Sequence, residues 1–232
     1  MRRSFCVCLI VAIIFLASET GYTSGISPEL EQRLSTIKVL EITTSNRDVL
    51  WDLRNNPDRA DVIELLLYAE ELTLEQIEIL KSWLTEGRGV VVYATDNKYE
   101  NPQVRSNRIL NELIGQNITL ESVLESEFYV RESNQRHPIL VYSRHIRCSY
   151  SYGSSGYKVP YVIRRDKDVS FDSLFETKAG KPAVASWELT SGGRVVYLGC
   201  DVSYPFKKYK DRYDNARFWA NTILWLAYKN TE

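Results

Sequence analysis

The sequence predicts an α/β protein: a mainly parallel sheet flanked by helices in a flavodoxin-like three-layer arrangement, with a β-rich antiparallel extension in its second half. Three observations carry this expectation. Strand-length apolar runs alternate with helical patterns from Lys38 to Gly115, the rhythm of a parallel sheet covered by helices. Beyond about residue 120 the chain turns into short β-type runs. It then closes on an amphipathic helix, Asp214–Tyr228 (DNARFWANTILWLAY), with Trp219, Thr222, Ile223 and Leu226 at helical spacing.

The N-terminus reads as an address rather than as structure. Arg2 and Arg3 precede an apolar run from Phe5 to Ala17, and small and polar residues follow to Gly25. A positive start, a short apolar centre and a small-residue tail make a secretory signal peptide over residues 1–24. The run would cover about 20 Å as a helix, short of the ~30 Å hydrocarbon core. An uncleaved N-terminal membrane anchor is the alternative. Residues 25–36 read as a polar lead-in with Ser27-Pro28 as a breaker, and residues 37–232 as one domain without an internal linker.

Within that domain Lys38–Thr43 is the first expected strand, and Arg47–Asn55 a short helix stopped by Asn56-Pro57. Asp61–Ala69 (DVIELLLYA) is a nearly continuous apolar run, as in a strand buried on both faces. Thr73-Leu-Glu-Gln76 is a capping box. The helix it opens, Leu74–Glu86, carries Leu74, Ile77, Leu80 and Leu84 on one face and stops at Gly87. Val90–Ala94 is the next strand and Ser106–Ile114 the next helix. Glu127–Arg131, Val141–Cys148, Pro160–Arg164 and Ser170–Glu176 follow as short strands. Ala183–Leu189 and Arg194–Gly199 flank the hairpin signal Thr190-Ser-Gly-Gly193.

Composition removes several functions. The 29 Lys+Arg against 30 Asp+Glu leave a net charge of −1, so no global field draws the protein to nucleic acid. Two histidines without cysteine or carboxylate spacing give no metal site. No cofactor motif occurs. Cys148 and Cys200 remain after signal removal, and in an oxidising compartment they are a candidate disulfide. Asn117-Ile-Thr119 is a candidate glycosylation sequon.

Several stretches together resemble the class I glutamine amidotransferase-like α/β domains, in particular their non-catalytic relatives in exported and membrane-associated bacterial and archaeal proteins. They are Leu72-Thr-Leu-Glu-Gln…Trp83-Leu-Thr-Glu-Gly-Arg-Gly-Val-Val-Val, His137-Pro138-Ile139, Lys181-Pro-Ala-Val…Gly193-Arg-Val-Val-Tyr-Leu-Gly, and Asp214-Asn…Phe218-Trp…Asn221…Leu224-Trp-Leu. The resemblance covers roughly residues 37–228. Catalytic members carry a Gly-x-Cys-x-Gly elbow and a later His-x-Glu pair. Neither occurs here, so the resemblance implies the fold without amidotransferase chemistry.

In an open parallel sheet ligands collect beyond the carboxyl ends of the strands, which brings Asp96, Asn97, Cys200 and Asp201 towards one rim. Asp and Asn also cap turns and helix starts at such positions. The run Cys148-Ser-Tyr-Ser-Tyr-Gly-Ser-Ser-Gly-Tyr157 offers Tyr150, Tyr152 and Tyr157 as contact residues, since tyrosine with serine and glycine gives rigid, amphipathic recognition area. A twisted hairpin covering a sheet edge would use the same residues. Tyr204-Pro-Phe-Lys-Lys-Tyr-Lys-Asp-Arg-Tyr213 interleaves aromatic and basic side chains. In an exported protein that suits an anionic glycan or lipid headgroup, or simply a solvated connection. The expectation is an exported binding or interaction module whose partner is another envelope or extracellular protein, or a glycan. The alternatives are a hydrolase using Cys200 or Asp201, and a structural subunit of an envelope complex.

Overall fold

The computed structural model describes residues 26–43, 46–66, 72–93, 102–131, 135–147, 152–153, 156–157, 160–164, 169–199, 202 and 214–227; at 102–107, 152–153 and 156–157 it describes the backbone only. The expected lead-in holds a helix, α1 (Pro28–Leu34). Ser27-Pro28 starts this helix instead of breaking the chain. The Ser27 hydroxyl accepts from Leu30 N at 3.3 Å, and Pro28 sits in the first turn, where a missing N–H costs nothing.

β1 (Val39–Thr43), α2 (Val49–Asn55), β2 (Val62–Leu66), α3 (Leu74–Thr85), β3 (Gly89–Tyr93) and α4 (Pro102–Ile114) follow. The capping box of α3 is closed as expected: Gln76 N donates to Thr73 Oγ1 at 3.2 Å and Thr73 N to Gln76 Oε1 at 3.0 Å. The second half runs β4 (Thr119–Ser122), β5 (Glu127–Tyr129), β6 (His145–Arg147), β7 (Tyr152–Gly153), β8 (Gly156–Tyr157), β9 (Tyr161–Arg164), β10 (Asp172–Glu176), β11 (Pro182–Glu188), β12 (Arg194–Leu198) and α5 (Asn215–Ala227). The expected strand Val141–Cys148 shrinks to β6. His137 accepts the Ile139 N–H on Nδ1 at 3.2 Å and so caps a 3-10 turn, Pro138–Leu140, after which Tyr142 takes a φ of 57°. That turn uses up the residues an extended strand would need.

Eight strands form one sheet in the order β1-β2-β3-β12-β11-β10-β5-β6. β1–β2, β2–β3 and β3–β12 are parallel; β12–β11, β11–β10, β10–β5 and β5–β6 are antiparallel. The sheet is therefore mixed rather than mainly parallel. The hairpin at Thr190–Gly193 returns the chain directly beside its own strand, and a direct return is antiparallel. β1 also lies at the sheet edge, whereas the flavodoxin order sets the first strand between the second and third. One face packs Ile63, Leu65, Val90, Val92 and Val195 against Leu50, Leu53, Ile77, Leu80 and Leu110 of α2, α3 and α4. The other packs Val62, Val91, Val196 and Leu198 against Leu34 of α1 and Phe218, Ile223 and Leu226 of α5.

Both edges of this sheet are closed by an asparagine side chain. At β1, Asn46 Oδ1 accepts from Thr43 N at 2.6 Å and its Nδ2 donates to Glu41 O at 2.9 Å. At β6, Asn215 Oδ1 accepts from Arg147 N at 2.9 Å, while Nδ2 donates to Arg147 O at 2.6 Å and Val202 O at 2.8 Å. The carboxylate of Asp214 takes the N–H groups of Arg144 and His145 at 2.7 and 3.0 Å. A carboxamide presents the same acceptor and donor as a strand's peptide group, so each asparagine satisfies edge groups that would otherwise template pairing with another chain.

Candidate functional site

The carboxyl ends of the parallel strands are at Thr43, Leu66, Tyr93 and Leu198. Asp96, Asn97, Cys200 and Asp201 follow two of these ends in sequence and lie outside the described residues, as do Cys148 and Tyr150, so their spacing and the Cys148–Cys200 pairing are not placed. Tyr152 and Tyr157 face one another in register across the two-residue strands β7 and β8. Asn117 is exposed in the turn between α4 and β4, a position open to modification.

What the described residues bring together near this rim is a group that periodicity did not single out. Glu64, in the middle of β2, is only 6% exposed. Its carboxylate accepts from the phenol of Tyr93, the last residue of β3, and lies 3.5 Å from the indole Nε1 of Trp219 on α5. Side chains alternate along a strand, and Val62 and Val91 belong to the α5-facing core, which places Glu64 and Tyr93 on that face. Glu41 of β1 is directly opposite Glu64 in the parallel register. Because Ile42 points into the other core, Glu41 shares the α5 face. Two carboxyl groups thus stand side by side, one fixed by phenol and indole donors and the other half-buried. Burial raises the pKa of Glu41 above the ordinary carboxylate value. The sequence signal was the single charge inside VIELL, since glutamate is almost never fully buried unless paired.

The sign of the Glu41 shift sets a test. A carboxyl with a raised native pKa binds more protons folded than unfolded between its ordinary and raised values, so stability falls as pH rises through that window. Glu41→Gln is therefore expected to unfold at a higher temperature than the parent at neutral pH, by about 1–3 °C. The gain should vanish below the ordinary range near about pH 4. Thermal unfolding followed by circular dichroism at both pH values checks this; a less stable variant at neutral pH would make Glu41 a charged structural partner.

Both imidazoles serve the scaffold. The Ile139 N–H can only donate, so His137 Nδ1 is unprotonated and the neutral ring carries its proton on Nε2, 3.3 Å from Ser186 Oγ. Ser186 therefore accepts from this ring, the reverse of what a general base does to a nucleophile, and it is 1% exposed. Trp225 meets the ring edge at 5.0 Å. Burial lowers the pKa of His137 in spite of the carboxylates of Asp172 and Glu188. His145 stacks on Tyr129 at 4.4 Å with Nε2 3.4 Å from Glu127, and burial again outweighs the carboxylate and lowers its pKa. Glu176, 1% exposed, accepts from Ser173 Oγ at 2.8 Å and pairs with Arg131 in the antiparallel half, away from the rim. Among the described residues no group of three or more His, Cys, Asp or Glu is arranged to hold a metal ion, and no helix is long and apolar enough to cross a membrane.

This is an α/β domain with a mixed sheet, helices on both faces, and a carboxyl–phenol–indole group near its parallel strand ends. No family model matches the chain, and no curated protein matches it. Among solved structures, the N-terminal domain of mmIFT52 is similar at a TM-score of 0.53, with 13% identity, over 91% of this chain and 95% of that domain. The cytoplasmic protein STM1381 from Salmonella typhimurium LT2 gives a TM-score of 0.46 and 12% identity over 72% of each chain. The exo-β-1,4-mannosidase Op5Man5 from Opitutaceae bacterium strain TAV5 gives 0.42 and 14% identity over 76% of this chain. The chain spans only 27% of the mannosidase's length. At these identities the likeness is one of fold alone.

Proposed function

We propose that the chain is an exported, non-catalytic binding module on a glutamine amidotransferase-like fold, and that it recognises a glycan at the rim where β1, β2, β3 and β12 end. The observation that carries this reading is the Glu41–Glu64–Tyr93–Trp219 group. Carboxyl groups hydrogen-bond sugar hydroxyls, and an indole gives a sugar ring an apolar face to lie on. The scaffold roles of His137 and His145, and a sequence without the cysteine elbow, support binding over turnover. The signal-type N-terminus supports export.

A second reading, a hydrolase at the same rim near Cys200 and Asp201, draws on the same two carboxyls. Paired titratable groups in unlike environments are how acid and base roles are divided. Calorimetric titration of the secreted protein with a panel of neutral and acidic oligosaccharides, with chromatography of the mixtures, separates the two. Binding that weakens at least about tenfold (~1.4 kcal/mol) in Glu64→Gln and Trp219→Phe, without cleavage of the sugars, is the expected result. Cleavage products would install the hydrolase; no binding across the panel would remove the glycan.

A further inference from the structure

β1 stands at the edge of the eight-stranded sheet and pairs with β2 alone. A trans peptide points its C=O and the N–H that follows in opposite directions, so the groups that serve β2 fix those that face outward. Lys38 N donates to Asp61 Oδ2 at 2.7 Å, which turns the Ile37 C=O outward. Lys38 O accepts from Val62 N at 3.2 Å, which turns the Val39 N–H outward. The parallel register of Val39 with Val62 and of Glu41 with Glu64 commits both main-chain groups of Leu40 to β2. The Val39 C=O and the Glu41 N–H therefore face outward as well. Among the described residues none of these four groups has a partner within the chain. Ile37, Val39 and Glu41 are all partly exposed.

The next groups along the same edge are already taken. Ile37 N donates to Leu34 O at 3.0 Å. Glu41 O accepts from Asn46 Nδ2 at 2.9 Å, and Thr43 N donates to Asn46 Oδ1. The asparagine that closes this edge thus reaches only its carboxyl-terminal end. What stays open reads, in chain order, acceptor, donor, acceptor, donor. Turned end for end, that set is its own complement.

We propose that β1 of one copy pairs antiparallel with β1 of a second copy about a two-fold axis at Val39, joining the two sheets into one. The two Val39 residues exchange both of their N–H···O bonds, and the Glu41 N–H of each copy donates to Ile37 O of the other. A longer ladder would next call on Ile37 N and Glu41 O, and these are the groups each chain has satisfied for itself. The side chains agree with this register. Val39 meets Val39, Ile37 meets Glu41 and Lys38 meets Leu40, so no like charges are opposed. Lysine on an edge strand blunts pairing, but Lys38 Nζ is drawn aside to Asp58 O at 3.0 Å. Moving the axis to Lys38 or Leu40 halves the number of bonds, and at Lys38 it also sets two lysines face to face. Moving it to Glu41 opposes two carboxyl groups and calls on Glu41 O, which Asn46 holds. A contact of one surface with itself is isologous and closes at the dimer. It rests on the main chain of β1 and not on the side chains of the glycan reading, so either can fail without the other.

Sedimentation velocity over a concentration series, with amide exchange followed by NMR on the same samples, is the test. The expected result is a mass that doubles and grows no further. It should do so at about 0.5 M NaCl as at low salt, since main-chain bonds are not screened as surface charges are. The Val39 and Glu41 amides should exchange at least about tenfold more slowly in the concentrated sample, while those of Leu40 and Ile42, bonded within the chain, stay unchanged. Val39→Pro should weaken dimerisation at least about tenfold. It deletes the donor at the axis, and an edge strand tolerates proline where the N–H faces outward. Unchanged circular dichroism shows that the variant folds; if it does not, the exchange rates decide alone. A parent that stays monomeric, assembly beyond the dimer, or a folded Val39→Pro that dimerises like the parent would each overturn the proposal. So would a dimer that leaves exchange at Val39 and Glu41 unaltered.

Discussion

Asn215→Ala is expected to lower the unfolding free energy by about 3 kcal/mol, which for a chain of this size is about 6–12 °C in Tm. The side chain is 2% exposed and makes three hydrogen bonds to backbone: one accepted from Arg147 N, one donated to Arg147 O and one to Val202 O. Truncation leaves these groups without the partner, and a buried group left unsatisfied costs about 1–3 kcal/mol. The loss is larger than that of an average helix substitution because the amide stands in for a missing strand. Urea unfolding with the slope compared between parent and variant measures it. A loss under about 1 kcal/mol would mean that water replaces the amide without penalty.

The second large effect is expected at Gly199, at the end of β12. A Cβ there would overlap the carbonyl oxygen of Tyr161 and stand 2.8 Å from that of Ala183. Both obstacles are backbone, and both belong to bonds the glycine itself makes or flanks: Gly199 N donates to Ala183 O at 2.8 Å, and Tyr161 N donates to Gly199 O at 2.7 Å. Gly199→Ala must therefore push β9 and its partner β4 away from the main sheet. We expect a cost of about 2–4 kcal/mol, at or beyond the upper end for overpacked sites. Faster amide hydrogen exchange at Tyr161, Val162 and Ile163 than in the centre of β12 would localise it. Uniform loss of protection would show instead that β9 unfolds only with the whole domain.

The first half of the fold was legible because its signals are local. The capping box at Thr73–Gln76, Gly87 after α3 and the valine run of β3 each point to one structure within a few residues. Where the reading departs from the structure, two local meanings competed or a distant partner decided. Ser27-Pro28 is both a breaker and a cap followed by an N1 proline, and only the packing of Leu34 against the α5-facing core selects the second. β4 went unread because its partner, β9, starts forty residues further on. The run Val141–Cys148 has strand composition, but the imidazole of His137 commits the preceding residues to a turn, and no periodicity encodes a side-chain cap.

The candidate site divides in the same way. The order of elements points to a rim beyond the ends of β1, β3 and β12, but its expected tenants Asp96, Asn97, Cys200 and Asp201 fall beyond the described residues. The residues that do converge, Glu41, Glu64, Tyr93 and Trp219, come from three strands and a helix separated by up to 178 positions in sequence. Glu41 and Glu64 become neighbours only through the β1–β2 register, which one sequence does not specify without the hydrophobic faces that fix it.

The two asparagines that close the sheet also make its edges sensitive to a change in a single amide. Asparagine side chains slowly hydrolyse to aspartate, and at most surface positions the change adds a charge and little else. At Asn46 and Asn215 it would delete the donor that serves Glu41 O in one case and Arg147 O and Val202 O in the other, and set an anion against those carbonyls. A single neutral-to-acid conversion would thus reopen an edge for pairing with another chain. Resistance to edge-to-edge pairing thus comes to depend on the same two amides.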